Sequence, residues 1–197
     1  LAQRQESRDR AHEQHEPERC ADRQPPPWIT APAKASHEVG DRHPGQIIKG
    51  DVLHQSARRE GKRGPMLPLE RAEVSRSAGV TGDTRGRPGP RQVTVLSAGA
   101  WLEACAIAGT DLPWLARRAN ILVDGLDLRQ VEGAVLRFGG DIELLVTGEL
   151  DPCRRMDAAS PGLRLALTDD WRGGVTCRVQ RGGSLTAGAT AWLHKTG

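Results

Sequence analysis

Residues 147–156 read TGELDPCRRM and hold the cysteine of this chain whose surroundings best suit chemistry. A glycine and a proline end an apolar run, so Cys153 stands in a loop at a strand end, where functional residues often lie. Arg154 and Arg155 follow directly, and a neighbouring cation stabilises a thiolate over a thiol. Asp151 opposes that effect. The sequence therefore leaves two alternatives open: a working thiolate, or an exposed loop cysteine without a function.

The other three cysteines lie in contexts that do not suggest chemistry. Cys177 alternates with valines along a predicted strand, and Cys105 shares a predicted helix face with Trp101, so we expect both to be small buried hydrophobic residues. Cys20 lies in a polar segment without a pattern. No two cysteines form a CxxC pair, and no histidine lies at the spacing along the chain that zinc ligands show. This argues against a zinc site and a disulfide framework.

The 197 residues of the chain are enough for one domain of ordinary size. Residues 1–55 are mostly polar and charged and bury too little apolar surface to offset their ordering entropy, so we predict a disordered leader followed by a folded domain over residues 56–197. Because the chain opens with Leu rather than Met, it is also open to interpretation as a fragment or as having a start placed too far upstream.

No apolar run reaches the length of about 18 residues that a membrane helix needs, and the N-terminus lacks the apolar stretch of a secretory signal. We therefore expect a cytoplasmic protein without a membrane partner. The net charge of +3 is weak support for a nucleic-acid partner. Residues 62–91 carry a local excess of basic side chains, which serves a phosphate or forms a solvated face.

Short strands that are joined by glycine-rich turns dominate the predicted structure. The predicted elements are strands at RQVTVLS (91–97), ANILVDG (119–125), GVTCRVQ (174–180) and SLTAGATAWL (184–193), a hairpin of AVLRF (134–138) and DIELLVTG (141–148) with Gly139-Gly140 as its turn, a helix capped by Ser97, and a helix that begins at Ser160-Pro161. Regular βαβ alternation is absent. We predict a mainly β fold: an antiparallel, barrel-like β domain with a few short peripheral helices.

Several of these segments form a familiar series: GVTGD (79–83), RQVTVLS (91–97), RRANILVDGLDL (117–128), GAVLRFG (133–139), LLVTGELDPCRRMD (144–157) and RGGVTCRV (172–179). Their order and spacing resemble the MOSC domain family, which is named after the C-terminal region of molybdenum-cofactor sulfurases. The resemblance runs from about Ala57 to near Leu193. It implies a β-rich barrel with short helices, in agreement with the strand pattern.

The resemblance also implies a site. The cysteine characteristic of the family matches Cys153, which in relatives carries sulfur or ligates the molybdenum of a pterin cofactor. The cofactor-binding positions match Arg118 and Asn120 of an R-x-N segment, Asp83 of a Gly-Asp pair, and Arg91-Gln92. Without the resemblance, Arg118 and Arg91 would be interpreted as forming salt bridges at the surface or at strand ends. Many relatives carry a histidine shortly after the Gly-Asp pair, whereas Thr84-Arg85-Gly86 follows here, so the roles of Asp83 and Arg85 stay open.

These residue types suit a molybdopterin cofactor. Arginine recognises phosphate with two parallel hydrogen bonds, and Asn or Gln can pair with the edge of a heterocycle. A soft thiolate suits a metal that dithiolene sulfur already holds.

The resemblance implies two functions. One is a molybdenum-dependent reductase of N-hydroxylated or related small molecules, in which Cys153 is the metal ligand and a separate protein donates electrons. The alternative is a sulfur carrier, in which Cys153 holds a persulfide received from a cysteine desulfurase. Pyridoxal phosphate is expected only on such a partner, because the chain lacks that domain of full sulfurases. A third hypothesis, a nucleic-acid module using residues 62–91, is disfavoured because that region lacks aromatic stacking residues.

Overall fold

The computed structural model describes residues 47–50, 52–61 and 64–195, with side chains from residue 55 onward. The strands in these ranges are β1 (Ile47–Gly50), β2 (Val52–Arg59), β3 (Met66–Leu69), β4 (Arg71–Ser75), β5 (Gly79–Val80), β6 (Val93–Ser97), β7 (Ile121–Asp124), β8 (Val135–Phe138), β9 (Ile142–Glu149), β10 (Val175–Arg181), β11 (Gly183–Thr186) and β12 (Ala191–His194). The helices are α1 (Ala98–Ile107), α2 (Arg155–Ala159) and α3 (Leu163–Thr168), with 3₁₀ turns at Trp114–Arg117 and Asp169–Trp171.

Nine strands form one sheet in the order β1-β12-β8-β9-β10-β6-β7-β2-β3, and β11-β4-β5 form a smaller one. Every pairing in the described part is antiparallel except that of β6 with β7, which α1 and the following 3₁₀ turn connect. The prediction of a mainly β domain with a few short helices is confirmed. The large sheet has two ends, β1 and β3, rather than closing into a ring.

The beginning of the sheet lies earlier than the sequence suggested. Residues 1–46 of the predicted leader lie outside the described residues, as does Cys20. Residues 47–50 and 52–55, which the sequence placed in the same leader, belong to β1 and β2. Their strands pair with β12 and β7, so the partners that order them come from distant parts of the chain.

The central strands are buried on both faces. Val93 and Val95 of β6 belong to one apolar cluster with the inward residues of β9 and β10, whereas Leu96 lies in a second cluster. The second cluster contains Trp101 of α1 and Trp114, which cover the opposite face of β6 and β7. Burial on both faces explains why successive residues of β6 and β7 are buried, in contrast to the alternation along β9 and β10.

Most of the predicted elements exist, with differences at their ends. Ser97 does precede α1, but its side chain makes no capping hydrogen bond. The hairpin of β8 and β9 pairs Phe138 with Ile142, so its loop contains Asp141 as well as the two glycines. The second helix begins at Leu163 rather than at Ser160, because α2 occupies the residues before it.

The predicted closing strand at residues 184–193 is wrong as a single element. It consists of β11 and β12, which lie in different sheets. Gly188 between them has a φ of 86°, a left-handed conformation that glycine adopts without steric cost and that turns the chain from one sheet to the other.

Candidate functional site

All seven residues singled out from the sequence line one pocket of about 200 Å³: Asp83, Arg85, Arg91, Gln92, Arg118, Asn120 and Cys153. They come from four connections: the loop after β5, the approach to β6, the approach to β7, and the loop between β9 and α2. The sequence missed six further lining residues: Arg59, Met66, Thr94, Arg117, Leu150 and Met156. Their roles in the site depend on contacts between segments far apart in the chain.

Cys153 is exposed at this pocket, whereas Cys105 and Cys177 are buried. The prediction for those two cysteines is confirmed. Burial raises the pKa of both thiols, for Cys177 as the sole cause. The Cys153 loop is fixed at both ends, since Leu150 donates its N–H to the Gly174 carbonyl at 2.9 Å and Met156 donates to the Cys153 carbonyl at 2.9 Å.

The pocket has a strong excess of positive charge. Its six arginines face two aspartates, and the arginines are Arg59, Arg85, Arg91, Arg117, Arg118 and Arg155. Burial lowers the pKa of Arg59, Arg91, Arg117 and Arg118, and neighbouring guanidinium groups lower it further. A negative charge on Cys153 acts in the opposite direction on Arg91, Arg117 and Arg118. Cations held close together in this way attract an anionic ligand.

Arg117 is the most buried member of this group, with 4% of its surface exposed. Its Nε donates to the Gly173 carbonyl at 2.9 Å, and its Nη2 donates to the Leu150 carbonyl. Burial, followed by repulsion from Arg91, lowers its pKa to about 10. The side chain therefore ties the start of the Cys153 loop to the turn before β10.

Asn120 connects three parts of the pocket through its side chain. Its Oδ1 accepts hydrogen bonds from the Thr94 N–H at 3.1 Å and the Thr94 hydroxyl at 2.9 Å. Its Nδ2 donates to the Ala57 carbonyl at 3.3 Å and to Oδ2 of Asp83 at 3.1 Å. Because both amide hydrogens and both oxygen lone pairs have partners, this side chain positions its neighbours rather than presenting a free edge.

Gln92, which directly precedes β6, also connects separate segments through its side chain. Its Nε2 donates to the carbonyls of Arg76 at 2.9 Å and Gly86 at 3.2 Å, and its Oε1 accepts from the Val179 N–H at 3.1 Å. It is 3% exposed. The side chain thus fastens the loop between β4 and β6 to β10, the strand that carries Val179.

Asp83 and Arg85, whose roles the sequence left open, form one local unit. The Asp83 carboxylate accepts hydrogen bonds from the backbone N–H of Arg59 and of Arg85, each at 2.8 Å, besides that from Asn120. The side chain of Arg85 is left exposed at the pocket. Asp83 therefore anchors the loop, and Arg85 contributes charge.

Arg118 adopts a left-handed backbone conformation, with a φ of 65°. Non-glycine residues in this region cost energy and are enriched at functional sites. Its Nη2 donates to the Gly64 carbonyl at 3.0 Å. The turn directs Arg118 and the preceding Arg117 to different depths of the same pocket, one half-buried and one buried.

Among the described residues, no group of three or more His, Cys, Asp or Glu side chains could hold a metal ion. In the same residues, no helix is long and apolar enough to cross a membrane.

Comparison with known families agrees with the fold. The model of the MOSC domain matches residues 85–191, which is more than half of the chain, so the chain belongs to the MOSC domain family. No match was found among curated proteins.

Solved structures show the same fold. The YuaD protein from Bacillus subtilis is 22% identical with a TM-score of 0.61, and the match covers 77% of this chain and 98% of that one. YiiM from Escherichia coli is 17% identical with a TM-score of 0.53, covering 74% of this chain and 69% of that one. YiiM from Geobacillus stearothermophilus is 16% identical with a TM-score of 0.53, covering 75% of each.

Proposed function

We propose that this protein binds a molybdenum cofactor in the arginine-lined pocket and reduces N-hydroxylated or related small molecules, with Cys153 as the metal ligand. The observation that carries the proposal is the placement of one exposed thiol among six arginines in a single pocket. Molybdopterin combines a phosphate with a metal that is bound by sulfur. The pocket offers cations for the first and a thiolate for the second.

The donor set fits this cofactor in charge and in softness. Arg91, Arg118 and Arg85 are the pocket cations that the sequence assigned to the cofactor, and each has guanidinium N–H groups with which to bind a phosphate. Asn120 and Gln92 would act differently from the expectation drawn from the sequence. Because their amides are engaged within the protein, they would hold the arginine-bearing loops in place rather than pair with the pterin.

Each part of the chain has a distinct task in this proposal. Reduction of an N-hydroxyl group takes up two electrons and two protons and releases water, and the bound cofactor supplies the two-electron redox chemistry. Cys153 would hold the metal, and its exposed position would let a small substrate reach the site from solvent. Arg117 keeps the Cys153 loop at a fixed position through the carbonyls of Leu150 and Gly173. The electrons come from a separate protein.

The exposure of Cys153 favours one second candidate, a sulfur carrier. An exposed thiol in a loop is accessible to a cysteine desulfurase, which would transfer a sulfur atom to it as a persulfide. Pyridoxal phosphate would then be found on the partner alone. Mass spectrometry after exposure to a cysteine desulfurase should show one added sulfur at Cys153, and sulfur added only at Cys105 or Cys177 would rule this version out.

The deciding experiment measures molybdenum and pterin in protein purified from a host that makes the cofactor. Wild-type protein should carry molybdenum and pterin. Cys153→Ser should lose molybdenum and the reduction of N-hydroxylated compounds. Cys105→Ala, which removes a buried thiol from α1, should retain the molybdenum and the activity. Folded wild-type protein without molybdenum or pterin would contradict the reductase proposal. The cytoplasmic location and the identity of the electron donor stay predictions.

A further inference from the structure

The most unusual side chain in the pocket is the buried guanidinium of Arg117. It forms no ion pair with a carboxylate of the described residues, although arginine is almost never fully buried without one. Two backbone carbonyls accept from its Nε and Nη2. These neutral acceptors leave its positive charge uncompensated, and burial makes an uncompensated charge costly.

One edge of this guanidinium is free. Nη1 of Arg117 has no hydrogen-bond partner in the described part of the chain. In that same part, Nε of Arg58 is the side-chain nitrogen that is both sealed from solvent and unpartnered. Nη1 is therefore open to solvent, and since Arg117 is 4% exposed and lines the pocket, that opening is toward the pocket.

We propose that Arg117 is an anion-binding residue of the pocket, and that its free Nη1 takes a carboxylate or phosphate oxygen of the small molecule that reacts beside Cys153. Arginine suits this task because its N–H groups are fixed in direction and its charge persists at physiological pH. The two carbonyl acceptors hold the plane of the group, so little side-chain entropy is lost when an anion binds. The inference rests on the proposed function in placing the reaction beside Cys153.

The site takes an oxyanion rather than a neutral group for an electrostatic reason. Burial and then repulsion from Arg91 oppose the charge of Arg117, whereas negative charges at Cys153, Glu149 and Asp151 favour it. An anion at Nη1 would compensate the charge at short range, which those groups do not do through any ion pair with Arg117. A ligand that carries a carboxylate or a phosphate is therefore selected over a neutral one of the same size.

The test compares two alkylating reagents of similar size at Cys153, in full-length protein produced without molybdenum. Iodoacetate is an anion and iodoacetamide is neutral, so the ratio of the iodoacetate rate to the iodoacetamide rate reports the electrostatic potential at Cys153. Because both reagents react with the same thiolate, the fraction of Cys153 that is ionised does not affect this ratio. Arg117→Gln, which removes the charge but can still donate to a carbonyl, should lower the ratio by about fivefold, as expected for the loss of one nearby unit charge. Arg117→Lys should retain most of it, and Arg129→Gln, at an exposed site outside the pocket, should leave it unchanged.

Competition by added anions identifies the oxyanion. Inorganic phosphate or acetate should slow the alkylation of Cys153 by iodoacetate more than chloride does at equal ionic strength. Stronger protection by phosphate would indicate a ligand that carries a phosphate, and stronger protection by acetate would indicate one that carries a carboxylate. A folded Arg117→Gln protein with the wild-type ratio would overturn the proposal. If that variant does not fold, wild-type protein that phosphate and acetate protect no better than chloride would do the same. Neither result depends on molybdenum, so the reductase proposal can stand or fail independently.

Discussion

Substitution of Asn120 can distinguish between two roles for this residue, which are contact with a ligand and positioning of the pocket. Asn120→Ala removes four hydrogen bonds that link β6, β2 and the Asp83 loop. If the side chain is a positioning element, its loss should destabilise the protein without any ligand present. If it serves mainly as a cofactor ligand, the stability of the cofactor-free protein should hardly change.

The expected loss follows from the groups that the substitution leaves without this partner. The N–H of Thr94 loses its bond to Oδ1, and the carbonyl of Ala57, in a fully buried residue, loses its bond to Nδ2. An unsatisfied buried polar group costs about 1–3 kcal/mol, so two such groups cost about 4 kcal/mol when each lies in the middle of that range. The free energy of unfolding of a whole domain is only about 5–15 kcal/mol.

Urea unfolding of the cofactor-free protein, followed by tryptophan fluorescence, measures this loss. With a slope of about 2 kcal/mol per molar urea, the midpoint should fall by about 2 M. Gln180→Ala, at an exposed position of β10, is the matched control and should stay within about 0.5 kcal/mol of wild type. A midpoint for Asn120→Ala within error of that control would refute the positioning role.

Asn120→Asp extends the same test to pH. The new carboxylate would face Oδ2 of Asp83 and the Ala57 carbonyl, in place of an amide that donates to both. Because like charges raise the pKa of the introduced carboxyl in the folded state, its protonation relieves the repulsion. The stability deficit relative to wild type should therefore be largest at neutral pH and should shrink as the pH falls through that raised pKa. A deficit that does not change between neutral and mildly acidic pH would contradict this contact.

Two further predictions concern the Cys153 loop. A Cβ on Gly173 would lie 2.6 Å from the carbonyl oxygen of Leu150, which is too close. Overpacking of this kind costs about 2 kcal/mol, so calorimetry should show that Gly173→Ala lowers the melting temperature by about 6 °C. Gly99→Ala, in helix α1 with no atom within 4 Å of the new Cβ, should instead raise it slightly, and equal shifts would refute the steric argument. In native protein, iodoacetamide should label Cys153 but not Cys177, which should react only after unfolding, as peptide mass spectrometry can check. Native labelling of Cys177 would show that β10 opens readily.

The sequence predicted the strands best where one face is buried. Val175, Cys177 and Val179 alternate with exposed or polar residues, and this period of two is visible without any knowledge of the partner strands. The same alternation separated Cys177 from Cys153. The split of residues 184–193 between two sheets was not visible, because it depends on which strands β11 and β12 pair with.

The two adjacent arginines of the RRAN segment show where prediction from sequence stops. Motif resemblance pointed to Arg118, yet the more buried of the pair is Arg117. Its burial depends on the carbonyls of Leu150 and Gly173, which lie 33 and 56 residues away along the chain. The consecutive glycines at 173–174 were the one local sign of a close approach, since a side chain at Gly173 would collide with Arg117.

A similar limit applies to Asn120 and Gln92. Their residue type suggested hydrogen bonding, which is correct, but the partners are protein carbonyls and N–H groups on other elements. A single sequence does not reveal whether a buried amide is satisfied within the fold or by a ligand. Only the geometry of the surrounding strands decides between them.

The pocket also constrains the order of events during synthesis. Several of its hydrogen bonds join residues far apart in the chain, from 26 positions for Thr94 with Asn120 to 87 positions for Gln92 with Val179, and Arg117 needs a carbonyl from Gly173. Contacts of such long range form late in folding, because the loops between them must close first. A nascent chain that ends before Gly173 lacks both the carbonyl that Arg117 binds and strand β10, which pairs with β9 next to the Cys153 loop. We therefore expect the pocket to become able to bind a ligand only after nearly the whole domain has left the ribosome. Any ligand would then bind to completed chains.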